Sequence, residues 1–159
     1  MSIFVKSTPA PKPRTANSAK VATLYAALLV IFAVTQLFTF EEFLVYNQSI
    51  KLPFSEGFNY AFVPLLIVAE VFALPFLLQM RLSPAFRYLS LALGCVAAGF
   101  WIFLSSWIVL LSVPVDSIGF LGTLVALTPG WWAIFFSLSL GVLAVWSAWG
   151  LWPGKRTTS

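Results

Sequence analysis

Four stretches of the chain are almost unbroken in apolar residues: about Val21 to Phe40, Tyr60 to Leu78, Tyr88 to Leu111 and Trp131 to Leu151. Each is close to the ~20 residues that a helix needs to cross a bilayer core. None alternates polar and apolar positions as a membrane barrel strand does over roughly ten residues. In lipid only helices and closed barrels satisfy their own backbone groups. The pattern therefore predicts an all-α, polytopic membrane four-helix bundle with spans near 21–40, 60–78, 88–111 and 131–151.

The remaining intervals divide the chain. Residues 1–20 hold three prolines, four basic residues and no acid, and read as an extended, disordered basic tail. Residues 21–151 form the four-span domain, and 152–159 a second short tail. Spans two and three are joined by the tight turn QMRLSPAFR, broken by Pro84. The segments 41–59 and 112–130 are longer and mix apolar with polar positions, as expected of chain lying in the interface. Within the second, Ile118 to Leu127 is too short to cross and ends at Pro129 and Gly130, which predicts an interfacial or re-entrant helix.

Charge orients this pattern. Lys6, Lys12, Arg14 and Lys20 precede span one, Arg81 and Arg87 follow span two, and Lys155 and Arg156 end the chain. Eight of the nine basic residues thus share one side. Lys51 lies across the membrane with Glu41, Glu42, Glu56 and Asp116. The positive-inside rule then places the N-terminus and C-terminus in the cytoplasm. Tyr60, Trp131 and Trp132 fall near the outer span ends, and Tyr88, Trp149 and Trp152 near the inner ones, where aromatic belts belong.

Composition narrows the chemistry. The chain is 60% hydrophobic and 9% charged, with a mean hydropathy of +0.96, so lipid is its main solvent. The net charge of +4 is absorbed by topology, and no nucleic-acid partner is expected. With no histidine and one cysteine, an intrachain disulfide, a cysteine metal cluster, imidazole-ligated haem and a Ser-His-Asp apparatus are all excluded. No metal site and no catalytic residue are predicted. Cys95, inside span three, reads as a small buried apolar side chain.

Glu70 is the one charged side chain near the middle of a span. Insertion scales put an acid there at roughly 2.5–3.5 kcal/mol, so such a group faces the interior and finds a partner. No basic residue of the chain shares its depth. A neutral carboxyl donating a hydrogen bond is favoured unless a partner, ligand or water compensates a charge. Ser139 of span four and Gly99 of span three lie at similar depth, which makes Ser139 the expected intrachain partner. Gln36, nearer the outer end of span one, reads either as part of a shallow outer vestibule or as ordinary interface polarity. Pro64 and Pro75 each remove a backbone donor from the helix carrying the acid. Ala69 and Ala73 beside it, Ser90, Gly94 and Ala98 in span three, and Ser137 and Gly141 in span four form stripes that let helices approach closely.

Pro64 and Glu70 in VPLLIVAEVFALPFLLQMRLSPAFRYLSLALG, with the basic turn of Arg81 and Arg87, resemble the DoxX and MauE group of small bacterial membrane proteins over the first three spans. The proline lies closer to the acid in that group, and a glycine often follows it where this chain has Ala73. The resemblance implies an accessory membrane subunit, linked to quinone-dependent redox systems or to maturation of partner enzymes, with no catalytic activity of its own. A quinone would then be the ligand to look for. Two functions stay open: an accessory or assembly subunit of a larger membrane complex with a protein partner, and a small proton-coupled carrier that acts as a homo-oligomer through Glu70.

Overall fold

The computed structural model describes residues 8–50, 52–53 and 56–152, the side chains at 56 and 59 excepted. Lys6, Lys51, Lys155, Arg156 and the tail 153–159 lie outside the described residues. Within them the chain is all-α, with helices α1 (Ala16–Phe38), α2 (Phe40–Ser49), α3 (Glu56–Leu77), α4 (Pro84–Leu110) and α5 (Trp131–Gly150). Four of these, α1, α3 (from Tyr60), α4 and α5, are long and apolar enough to cross a membrane.

Helix starts follow local capping chemistry. Thr15 is extended and its hydroxyl accepts from Ser18 N at 3.1 Å, which begins α1 one turn before the apolar run. Ser83 does the same for Phe86 N, with Pro84 at the first helical position, where its missing N–H costs nothing. Thr39 separates α1 from α2.

The long helices form a closed four-membered bundle: α1 and α4 each pack against both α3 and α5. Small residues sit at the crossings. Ala69, Ala73, Ser90, Gly94, Ala98 and Ser137 are buried, and Gly94 comes against Ala73. Gly141 is half-buried, facing Ile102 of α4. Exposed Leu, Val, Phe and Trp side chains cover the outside, as lipid-facing surface requires.

Three sequence expectations are corrected. The basic tail is not disordered along residues 8–15. Thr8 pairs with Leu82 in an isolated antiparallel bridge, Arg87 donates to Thr8 O at 2.8 Å and Pro9 O at 3.1 Å, and Arg14 N donates to Gly150 O at 3.0 Å. The tail thus satisfies one carbonyl at the end of α5, that of Gly150, which the helix itself leaves unpaired, and Arg87 is buried beneath it.

The second correction concerns 112–130, which holds no helix. It folds as turns closed by Ile118 N donating to Leu127 O at 3.0 Å, with Ser117 Oγ accepting from Gly119 N and Leu127 N. Gly119 (φ +82°) and Gly122 (φ +59°) take left-handed backbone that a helix cannot contain. A Cβ at Gly122 would stand 2.3 Å from Thr39 Oγ1. Thirdly, Cys95 is exposed on the outer face of α4.

The segments flanking this end dock on one another. Tyr46 of α2 donates to Ser117 O, Thr123 N donates to Thr39 Oγ1 at 3.1 Å, and Thr123 Oγ1 donates to Glu42 at 2.6 Å. Phe43, Ile50, Leu52, Ile118 and Phe120 are buried between them and the bundle, so the two segments act as a cap.

Candidate functional site

Glu70 lies wholly buried in α3. Its Oε1 accepts from Trp101 Nε1 of α4 at 2.8 Å and from Gln36 Nε2 of α1 at 3.4 Å. One carboxyl oxygen therefore joins three helices. Gln36 belongs to this interior cluster and not to an outer vestibule: it too is wholly buried. A polar side chain in a dry core must find a partner, and the acid supplies it.

Neither Ser139 nor Gly99 meets the acid. Ser139 is exposed, and its hydroxyl donates to Phe135 O of its own helix at 2.8 Å. Gly99 is exposed with open space at its Cβ position. Both lie at about the right depth but on the outer faces of α5 and α4. Depth alone does not select the face of a helix, which turns by about 100° per residue. Trp101, two positions beyond Gly99, faces inward and was the residue to expect: its indole N–H is an obligate donor when buried.

Two acceptors of the cluster are left over. Glu70 Oε2 and Gln36 Oε1 are buried without a hydrogen-bond partner. This is the unspent chemical capacity of the site: a donor brought there, whether the acid's own proton or water, would meet acceptors that now have none.

Aromatic rings seal the cluster from the capped end. Trp101 packs edge-on against Phe32 at 5.7 Å and lies 4.6 Å from Phe120, which reaches down from the 112–130 segment. Phe120 also meets Phe136 at 5.1 Å. A cavity of about 270 Å³ lies outside this seal, lined by apolar side chains including Leu28, Phe32, Phe120 and Phe136. Glu70 does not line it. Trp132 also lines it, but its indole N–H already donates to Thr128 O at 3.0 Å, so a quinone in this cavity would find no free donor for its carbonyls; the cavity does not fit that group, and no chemical step is assigned to it.

A second polar device lies further along α3. Ser90 Oγ donates to Phe72 O at 2.6 Å and accepts from Phe76 N at 3.1 Å. The hydroxyl of α4 thus inserts into the backbone ladder of α3 beside Pro75, where the missing N–H loosens the helix. Tyr25 of α1 donates to Gly94 O at 2.7 Å, a further link to α4. The sequence marked Ser90 and Gly94 as packing residues; that one supplies a hydroxyl and the other a carbonyl to a neighbouring helix depended on rotation about each axis.

Among the described residues no group of three or more His, Cys, Asp or Glu side chains is placed to hold a metal. Comparisons with family models, with curated proteins and with solved structures found no match. The class defined here is a helical protein with four membrane-span-capable helices and a buried acid joining three of them.

Proposed function

We propose that this chain is an integral membrane accessory or assembly subunit of a larger complex, seated in a bacterial cytoplasmic membrane with both termini on the cytoplasmic side. The observation that carries the reading is the Glu70 junction. A carboxyl that accepts from Trp101 and Gln36 while aromatic rings close over it is spent on fixing the relative positions of α1, α3 and α4. A bundle held in this way suits a rigid scaffold better than a moving pathway. The resemblance to the DoxX and MauE group supports the same reading, and a partner belonging to a quinone-linked redox system is the class it implies.

The test is extraction in mild detergent through a tag at the basic end, comparing wild type with Glu70→Gln. A defined hetero-complex supports the subunit reading, and its loss in the variant makes the junction part of assembly. A chain that emerges alone or self-paired sinks it. Orientation is tested separately in a Cys95→Ser background, with single cysteines at Asn17 and Ser49 and a membrane-impermeant thiol reagent applied to intact cells. Labelling at Ser49→Cys alone is expected; labelling at Asn17→Cys alone reverses the topology.

The two unpartnered acceptors at Glu70 and Gln36 favour a second reading, a proton-coupled carrier acting as a homo-oligomer. Proton-dependent uptake into vesicles that is abolished by Glu70→Gln would establish it.

A further inference from the structure

We propose that the groove between α4 and α5 holds one acyl chain of an anionic phospholipid whose phosphate is met by Arg14. The groove has a volume of about 640 Å³ and is lined by apolar side chains, among them Ile102, Leu138, Gly141, Val145, Trp146 and Trp149. Gly141 forms its floor, where α5 packs so closely on α4 that a Cβ would come within 2.9 Å of Ile102 Cδ1. Val145 and Trp149 line it from positions exposed on the outer face.

Length identifies the occupant. From Leu138 to Trp149 the groove follows α5 over twelve residues, about 16 Å of helix, or roughly half of a ~30 Å hydrocarbon core. It therefore starts near mid-membrane and ends at the end of the bundle that carries the basic tail. A single acyl chain occupies one leaflet, as this groove does.

Charge identifies the headgroup. At the interfacial end the Arg14 guanidinium lies 4.9 Å from the centroid of the Trp149 ring, one of the rings lining the groove. The backbone of Arg14 is held by its N–H donating to Gly150 O at 3.0 Å, and the side chain is exposed. A planar guanidinium placed over an interfacial tryptophan presents donors suited to a phosphate, at the depth where headgroups lie.

The test is native mass spectrometry of the purified full-length protein, titrated with phosphatidylglycerol or phosphatidylcholine, for wild type, Arg14→Gln and Val145→Phe. Wild type is expected to retain one phosphatidylglycerol in preference to phosphatidylcholine. Arg14→Gln should weaken that retention about fivefold, the worth of one basic side chain at a lipid surface. Val145→Phe fills the groove from an exposed position and should abolish the preference without unfolding the bundle, which circular dichroism checks. Equal retention of the two lipids by wild type overturns the proposal. So does an unchanged preference in Val145→Phe, whether or not Arg14→Gln weakens it, because attraction to the basic end alone would then suffice.

Discussion

Trp101 donates its indole N–H to Glu70 Oε1 across 2.8 Å of buried interior, and this bond fixes α4 against α3 near the middle of the bundle. Removing it leaves the acid with only the longer bond from Gln36. Trp101→Phe should lower stability by about 1–3 kcal/mol, combining a lost interhelical hydrogen bond with a small cavity. Thermal unfolding in detergent reads this directly. A double-mutant cycle with Glu70→Leu, which removes the acceptor, isolates the pair: coupling of about 0.6 kcal/mol or more is expected, and simple additivity would show that the bond contributes nothing.

Ser90 and Pro75 make a second pair to separate. In Ser90→Ala, Phe72 O and Phe76 N lose the hydroxyl that bridges them, at a cost of about 0.6–1.7 kcal/mol. In a Pro75→Ala background the restored N–H should straighten α3 and return Phe76 N to its own ladder, so the same serine change should cost less. Equal costs in the two backgrounds would mean that the hydroxyl does not serve the proline kink.

How far the sequence revealed this arrangement can be traced residue by residue. Four apolar runs near bilayer length marked the spans, since lipid permits few alternatives. Glu70 stood out as the one mid-span charge, and it is buried as such a residue should be. Its partners were not legible. Counting from the interfaces fixes depth and leaves rotation about each helix axis open, so Ser139 and Gly99 matched in depth but face outward. Rotation depends on packing, and hydrophobicity around these helices is nearly uniform because lipid and core are equally apolar. The packing of residues 8–15 was hidden for another reason: proline-rich basic composition describes a solvated chain, but here backbone groups pair with Arg87 and with the end of α5.

Gly122 lies where backbone and space coincide. Its φ of +59° disfavours any side chain, and an added Cβ would meet Thr39 Oγ1 at 2.3 Å. Gly122→Ala should cost about 1–2 kcal/mol from the backbone alone and should push the 112–130 segment away from the α1–α2 junction. Because Phe120 belongs to that segment and packs on Trp101, hydrogen exchange should quicken at both Thr123 and the Trp101 indole. Faster exchange at Thr123 with an unchanged indole would mean that the cap does not protect the acid.

Tyr46 gives the cap a pH limit. Burial first, and then the carboxylate of Asp116, push its phenol from 10.0 up to about 12, and the neutral hydroxyl donates to Ser117 O. The folded form holds the proton more tightly than the unfolded one, so the stabilisation is fully present below pH 10. It declines as pH rises from 10 through about 12, when the unfolded phenol ionises first. Titrating tyrosinate absorbance in wild type and Tyr46→Phe should reveal one residue that ionises late, and loosening of the cap over the same interval in wild type alone. If the difference spectrum shows Tyr46 ionising near its ordinary value, the phenol is solvated and the contact to Ser117 does not hold the two capping segments together.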